Sequence, residues 1–359
     1  MQHALLVLAL AASLSAQTNI VSPAAYTNAE APSGNAFPFG SAASQFRYLN
    51  VHDDLAGTPR TILAFALRKG ATTSTTITPA LSVVMDGFMS TAVTTGATVV
   101  ASYDANHGAD KAQVLTGRTI SFPPFGTGII PYPFVYAVPL DAPFSYAGAG
   151  PLCWEVRITS RPLSGSASHD YVGGSSTNPS MAASRYGDGC LAAGHTLPFT
   201  VTGGSSVTWT TNQGQVTATT SEGPANASAF YLFGASGTSY GGIPLPFPLP
   251  GTTGGSSGTC WLNSDILLTV PGTLSGTGAV TFRVAVPLFP WFGGLNVFGQ
   301  AVALDVAANS LGLVTSNGIN HHIVRPHGNP PGGRVYTSSL AASGTAAPNQ
   351  TLVVQFTAQ

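Results

Sequence analysis

This chain of 359 residues has very few charged side chains. Asp, Glu, Lys and Arg together make up 7% of it, whereas an average soluble protein has about 25%. The 12 basic and 13 acidic residues leave a net charge of −1, and the nearest thing to a basic cluster is the pair Arg68-Lys69. Nucleic-acid binding and electrostatic docking on membranes both need clustered cationic side chains. The sequence therefore argues against both classes of function.

Long apolar runs are also lacking. The run over residues 4–12 is too short to span a bilayer, which takes about 20 residues, and it is followed by small residues. This pattern predicts a secretory signal peptide over residues 1–16. No other stretch is apolar and long enough for a transmembrane helix, so we expect a secreted protein that is extracellular or associated with the cell surface.

Cysteine is scarce, with three in the chain. Cys190 and Cys260 each follow a glycine-containing turn, where a bridge can form, whereas Cys153 lies in the alternating pattern PLCWEVRI. We therefore predict a disulfide between Cys190 and Cys260 and a buried free thiol at Cys153. Closing a loop of about 70 residues stabilises a fold by about 4 kcal/mol in the chain-entropy model.

What the sequence does contain indicates β-structure. Hydrophobic residues make up 44%, with 42 Gly and 27 Pro, and short apolar or alternating runs recur between turn residues without a sustained helical period. The fold class we predict is all-β with little helix, built from two jelly-roll-like β-sandwich domains in tandem. The predicted boundaries are an N-terminal sandwich over 17–162, a linker or extended loop over 163–186, a C-terminal sandwich over 187–325, and a C-terminal extension with one or two strands over 326–359.

Two local patterns give more specific expectations. In CWEVRITS, Trp154 faces the core by period two, and Glu155 and Arg157 are expected to form an exposed ion pair on the other face. In IPLPFPLPG (243–251), prolines alternate with apolar residues. Because proline cannot donate to a ladder, this run predicts an edge strand or a polyproline segment packed on a sheet.

Several motifs resemble those of a known group of sequences. They are GDGC (187–190), IPLPFPLPG (243–251), GTCWL (258–262), AVPLFPWFGGLNVFGQAVALDV (285–306) and LVTSNGI (313–319), with FRYLNVHDD, ANHGAD and PFVYAVPLDAPF in the first half. Their order is similar to that of a domain in uncharacterised secreted β-rich proteins of planctomycete-type bacteria. The resemblance implies export, β-rich architecture and residence at the cell surface or outside the cell, and it implies no catalytic residues.

The best candidate for a binding surface is PLFPWFGG (287–294). Proline and glycine around Trp291 indicate a loop tip, and Phe289 and Phe292 lie beside it. Exposed aromatic rings present a large flat apolar surface that can stack against a sugar ring. We therefore name Trp291, Phe289 and Phe292 as candidate ligand-binding residues; the alternative is that these rings fill a core.

A structural calcium site is a second candidate. Asp104, Asn106 and Asp110 in YDANHGADK have the spacing of the first oxygen ligands of a calcium loop, although Leu115 stands where an EF-hand needs a glutamate. The alternative is a turn in which Asp and Asn bond their own backbone.

Catalytic signals are weak. The segment GGSSG (254–258) matches the G-x-S-x-G pattern but lacks the strand before it and the helix after it that a nucleophile elbow needs. No glutamate is paired in a local motif, so a glycosidase would need carboxylates that converge only in the fold. The histidines of NGINHHIVRPH leave zinc as a further alternative.

These observations favour a secreted, non-catalytic structural or adhesive protein of the cell envelope or its surroundings. The alternatives are a carbohydrate-binding protein that uses exposed aromatics, and a polysaccharide-acting hydrolase. The expected partners are extracellular polysaccharide or envelope components. We expect no cofactor, with structural calcium as the leading alternative.

Overall fold

The all-β prediction is confirmed by a computed structural model. The structure describes residues 16–40, 43–70, 80–124, 126, 128–161, 167–176, 180–208, 213–252, 258–287 and 289–359. Within these ranges strands dominate, and no helix reaches seven residues. None of the helices there is long and apolar enough to cross a membrane. The predicted signal peptide lies outside the described residues except for Ala16.

The strands fall into three blocks along the chain. The first block contains β1 (Thr18–Ser22), β2 (Ser33–Asn35), β3 (Phe46–His52), β4 (Arg60–Leu67), β5 (Leu81–Thr91), β6 (Ala112–Phe122), β7 (Tyr136–Tyr146), β8 (Leu152–Ser160) and β9 (His169–Gly173). The second contains β10 (Ser180–Tyr186), β11 (Thr200–Thr208), β12 (Gln213–Ser221), β13 (Ser228–Gly234), β14 (Ser239–Tyr240), β15 (Ile243–Pro244), β16 (Phe247–Pro248), β17 (Trp261–Leu262), β18 (Leu268–Thr273), β19 (Thr281–Pro287), β20 (Asn296–Leu304) and β21 (Leu313–Val324). The third contains β22 (Gly332–Thr337), β23 (Thr345–Ala347), β24 (Gln350–Leu352) and β25 (Val354–Ala358). Short 3-10 turns lie at Ala24–Tyr26, Asp53–Leu55, Asp104–Asn106 and Pro290–Phe292.

The first and third blocks together form one sandwich, which we call the first sandwich. A six-stranded sheet, in the order β23-β22-β3-β8-β5-β6, packs on a four-stranded sheet in the order β1-β25-β4-β7. Period two turns Trp154 of β8 toward the opposite sheet, where its ring stacks on Phe65 of β4 with centroids 4.8 Å apart. Their burial places the main core between these two sheets.

The C-terminal residues correct the predicted domain order. Strand β25 lies between β1 and β4 in the four-stranded sheet, and β22 pairs with β3 in the six-stranded sheet. Residues 326–359 are therefore not an extension with one or two strands, because they supply four strands that complete the first sandwich. The two units are accordingly not in tandem: the second block is inserted into the first sandwich.

The predicted linker over 163–186 is also wrong where the structure describes it. Strand β9 pairs with β2 and β24 of the first sandwich, whereas β10 pairs with β21 of the inserted unit. The chain passes from one unit to the other between these two strands. Residues 163–166 and 177–179 of this region lie outside the described part of the chain.

The inserted unit is a second, smaller sandwich. Its five-stranded sheet, in the order β10-β21-β20-β13-β18, packs on the three-stranded sheet β11-β12-β19. Tyr231 and Phe282 stack across this core with centroids 5.5 Å apart. The predicted Cys190–Cys260 disulfide is confirmed and is buried in the same core, while Cys153 is a buried free thiol.

The proline run over 243–251 packs on the inserted sandwich in short strand pieces. Strand β15 pairs with β14, and β16 pairs with β17. Its four prolines at alternate positions are exposed, whereas Leu245 is buried and Phe247 and Leu249 are half-buried. The alternation expected of an extended segment that packs on one side is present, except that Ile243 is exposed.

Hydrogen bonds connect the two sandwiches. The Tyr132 hydroxyl and Ser184 Oγ are 2.6 Å apart, and Asn320 donates to the Ile130 carbonyl at 3.3 Å. The Glu30 amide donates to Nε2 of His322 at 3.2 Å. These buried contacts place the ends of β10 and β21 against the first sandwich.

Candidate functional site

The candidate aromatic residues form an exposed turn between β19 and β20. Trp291 is 71% exposed, and the Phe289 ring lies parallel to it, with centroids 4.5 Å apart and an interplanar angle of 4°. The Phe292 ring is tilted, 5.9 Å from Phe289, and it packs against a small cluster of buried side chains. We call residues 289–292 the aromatic turn.

Two glycines and an arginine hold the aromatic turn in place. Gly294 has φ of +91°, a left-handed conformation that favours glycine, and a Cβ on Gly293 would lie 2.6 Å from Cγ of Arg325. The missing side chains let Arg325 lie against this backbone, where its Nε donates to the Gly293 carbonyl at 3.1 Å. The aromatic turn is thereby fixed to the residue that follows β21.

Arg325 also lines a cavity of about 400 Å³ at the junction of the two sandwiches. One wall comes from the first sandwich, and the other is the crossover segment that carries the chain back to it. We call it the junction cavity, and its lining residues are Pro23, Ala24, Ala25, Tyr26, Asp54, Arg325, Pro326, His327, Gly328, Asn329, Pro330 and Pro331.

A buried hydrogen-bond chain fixes Asp54 at this cavity. The Ser22 hydroxyl donates to Asp54 Oδ1 at 2.5 Å, and it lies 2.7 Å from Nδ1 of His52. The Trp154 indole donates to Nε2 of His52 at 3.0 Å, so the proton of His52 lies on Nδ1 and points to Ser22. Burial lowers the pKa of His52 to about 3, which keeps this ring neutral.

Asp54 itself accepts a second hydrogen bond, from the Ala24 amide at 2.9 Å. Burial raises the pKa of Asp54, and these hydrogen bonds oppose the rise. Ser22 lies beside both an acid and a histidine, but it is fully buried. Because it cannot reach a bound substrate, this chain serves to position Asp54 and does not form a nucleophile site.

Two further polar atoms of the cavity lining lack a hydrogen-bond partner among the described residues. They are the Tyr26 hydroxyl and Nε2 of His327. The two rings face each other edge-on, with centroids 6.4 Å apart. Both atoms are themselves buried, so neither presents a hydrogen-bonding group to a ligand in the cavity.

The three calcium candidates do not assemble a site. Asp104 pairs with Lys111 at 2.6 Å, and Asp110 accepts from Thr91. The Asn106 side chain bonds the backbone at Val100 in both directions. No cluster of three His, Cys, Asp or Glu side chains placed for a metal ion occurs among the described residues. The structure favours the alternative interpretation, a turn held by its own hydrogen bonds.

The expected exposed ion pair of Glu155 and Arg157 is wrong. The Glu155 side chain is fully buried, and it accepts from Arg47 at 2.7 Å, from Arg157 at 2.6 Å and from His107 at 3.0 Å. The reason is that residues 92–111 cover the outer face of the six-stranded sheet, as the burial of Val99 and Tyr103 shows. Both faces of β8 are therefore buried, although its alternation of apolar and charged residues predicted one buried and one exposed face.

Burial by itself raises the pKa of Glu155, but the hydrogen bonds from His107, Arg47 and Arg157 outweigh it and hold this pKa far below its usual range. Lys111 lies 3.8 Å from the same carboxylate and bridges it to Asp104. The Glu155 carboxylate is thus occupied by partners of its own cluster, which gives the cluster a structural role.

The other sequence motifs lie apart from the junction cavity or outside the described residues. Residues 254–257 of the GGSSG segment are not described. His321 and His322 are buried in β21, and their side chains contact Tyr231 and Asn296 respectively, whereas His327 lines the cavity. Among the residues that line the cavity, Asp54 is the only carboxylate, so the facing pair that a glycosidase needs is not present there.

Sequence reasoning identified the aromatic turn but missed the junction cavity. The turn has a local signal, because proline and glycine flank the aromatic residues. The cavity joins residues 23–26, Asp54 and residues 325–331, which are far apart in sequence.

Comparison with known proteins gave no match: no family model fits this sequence, and no curated protein or solved structure is significantly similar to it. The resemblance to the secreted β-rich domain therefore stays a prediction.

Proposed function

We propose that this chain is a secreted, non-catalytic protein of the cell surface or its surroundings that attaches to polysaccharide through the aromatic turn. The observation that carries this proposal is the exposure of Trp291 with its ring stacked on Phe289. The structural or adhesive role and the carbohydrate-binding role, separate alternatives at the level of sequence, become one proposal here.

The physical argument is that the exposed indole of Trp291, which is held in a fixed orientation, is available to bind a ligand. Of the other tryptophans that the structure describes, Trp154 is buried and Trp261 is half-buried. Leaving an indole in water forgoes burial energy of about 2 to 3 kcal/mol. Because Phe289 supports one side of the ring, little conformational entropy is lost when a sugar stacks on it.

The hydrolase alternative has less support. Glycoside hydrolysis generally uses two carboxyls about 5 to 10 Å apart on either side of the bond. Asp54 is alone in the junction cavity, and Ser22 beside it is buried. A binding role needs neither a second acid nor a nucleophile.

The proposal is tested with a panel of soluble and insoluble polysaccharides and the variant Trp291→Ala. We expect the wild type to bind at least one polysaccharide and the variant to lose about tenfold or more in affinity, the equivalent of about 1.4 kcal/mol. Both proteins should unfold within about 0.5 kcal/mol of each other, because the side chain is on the surface.

Leu267→Ala is the matched control, because Leu267 is also 71% exposed and lies in a different loop. Its binding should equal that of the wild type. Binding that survives in Trp291→Ala, or no binding to any member of the panel, would contradict the proposal. Secretion is checked separately, by the mature N-terminus of exported protein, which we expect at Ala16 or Gln17.

A further inference from the structure

The exterior of this protein holds few cations. All twelve Lys and Arg residues lie in the described part of the chain: Arg283 and Arg325 are exposed, Arg118 is partly exposed and pairs with Asp141 at the surface, and the other nine are half-buried or buried. Arg283 is in β19 and donates to Gln215. Arg325 lies between the aromatic turn and the junction cavity. One of the two exposed cations is therefore at the candidate site.

A hydrogen bond holds the Arg325 side chain in place, but no described acidic side chain pairs with its charge. Its Nε donates to the Gly293 carbonyl at 3.1 Å, and its stem packs on the Gly293-Gly294 backbone. Among the described acidic side chains, none lies within ion-pair distance of Arg325, although Asp54 lines the same cavity. A guanidinium fixed on one edge still presents its terminal N–H groups, which match a planar carboxylate.

Asp54 adds a hydrogen-bond acceptor for neutral groups. It lines the cavity and can accept hydrogen bonds from the hydroxyls of a ligand. A cavity with one cation and one carboxylate does not attract a dense polyanion, because Asp54 repels it. It suits a ligand that combines a single carboxylate with several hydroxyls.

We propose that the aromatic turn and the junction cavity together bind an acidic polysaccharide made of uronate sugars. One sugar ring stacks on Trp291, the carboxylate of a uronate pairs with the Arg325 guanidinium, and a hydroxyl bonds to Asp54. This inference rests on the proposed function and adds the chemical class of the ligand.

The experiment compares polygalacturonate, alginate and glucuronan with the same polymers after their carboxylates are reduced to alcohols. Affinity is measured for the wild type, Arg325→Gln and the matched control Arg283→Gln. For at least one pair, the wild type should bind the acidic polymer about tenfold more tightly than its reduced form, because the charge-assisted pair with the guanidinium forms only with the carboxylate.

Arg325→Gln should lose this preference, and Arg283→Gln should keep it. Equal wild-type binding to the acidic and reduced forms overturns the inference and leaves the proposed function standing. Equally tight binding of dextran sulfate also overturns it, because the cavity would then act as a general anion site. Failure of the wild type to bind any neutral or acidic polymer overturns both.

Discussion

The two sandwiches stabilise their interiors by different means. The first sandwich fills its core with large aromatic side chains, among them Phe39, Phe46, Tyr48, Phe65, Tyr136, Trp154 and Phe356. The inserted sandwich has a core rich in alanine, with Ala192, Ala218, Ala229, Ala301, Ala303 and Ala308. Only the inserted sandwich contains the disulfide, and the buried ion pairs of Glu155 and of Asp170 with Arg68 lie in the first.

This difference follows from the free energy that each kind of core supplies. Burial stabilises by about 25 cal/mol for each Å² of apolar surface, and an alanine side chain has little of it to bury. A small core of alanines therefore gains from a covalent link that restricts the unfolded chain. The larger aromatic core of the first sandwich can instead accommodate buried charges, provided that each is paired.

The largest expected effect is on the first sandwich, from Glu155→Gln. The change leaves the guanidinium groups of Arg47 and Arg157 buried or half-buried without their carboxylate, which costs about 3 to 5 kcal/mol. Amide hydrogen exchange should show faster opening of β3, β5 and β8, with little change in β13 and β20. Asp141→Asn is the control, because the Asp141–Arg118 pair is on the surface and contributes at most about 1 kcal/mol.

The pH dependence of unfolding sharpens this prediction. The pKa of Glu155 in the folded protein lies below its unfolded value of about 4.3, so its contribution to stability is complete above that pH and is lost as the pH falls. Urea unfolding of the wild type and Glu155→Gln should give curves that converge below pH 4. Curves that stay parallel down to pH 2 would show that the buried carboxylate is not linked to stability.

The disulfide is the matching test for the inserted sandwich. Replacing Cys190 and Cys260 by alanine frees a loop with a sequence separation of 70, which costs about 4 kcal/mol in the chain-entropy model. Exchange should speed up in β12, β13 and β20, while β4 and β25 keep their protection. Addition of a reductant to Cys153→Ala should produce the same pattern, because the remaining cysteines form the bridge. Equal destabilisation of both sandwiches would contradict the comparison.

A smaller effect is expected at the boundary between the two sandwiches. In His322→Ala, the Glu30 amide and the Asn296 side chain lose their buried partner, at a cost of about 1 to 3 kcal/mol. Burial, with the charges of Arg68 and Arg325, lowers the pKa of His322 to about 4. The folded protein therefore favours the neutral ring, and stability from this group is present above pH 6.5 and is lost as the pH falls toward 4.

The slope of stability against pH between 6.5 and 4 should be smaller in His322→Ala than in the wild type. The slope will not vanish, because burial also lowers the pKa values of His52, His169 and His321 to about 3. Asn309→Ala removes a side chain of the inserted sandwich that does not titrate and that bonds the Leu313 backbone, so it should leave the slope unchanged. An unaltered slope in His322→Ala would indicate that this ring does not titrate with unfolding.

Local sequence patterns predicted the features that depend on neighbouring residues. The alternation of CWEVRITS fixes the strand and the inward face of Trp154, and the glycine-containing turns before Cys190 and Cys260 indicate where a bridge can form. The aromatic turn has the same kind of signal, and Trp291 is exposed as the flanking Pro and Gly indicate.

Features that depend on distant residues could not be predicted in this way. The sequence TLVVQFTA indicates a strand at the C-terminus, but its partners β1 and β4 are more than 280 residues away, and period two does not select a partner. The burial of Glu155 could not be predicted for the same reason, because residues 92–111 show no sequence pattern that indicates which sheet they cover. The junction cavity could not be predicted either, because its lining residues 23–26, Asp54 and 325–331 are far apart in sequence.

The burial of most lysine and arginine side chains affects how the protein resists proteases outside a cell. Trypsin-like proteases cut after lysine or arginine in chain segments that are accessible and can unfold locally. Here Arg283 and the partly exposed Arg118 lie within the hydrogen-bonded strands β19 and β6, and Arg325 is followed by a proline. The folded molecule thus offers such enzymes almost no place to begin digestion.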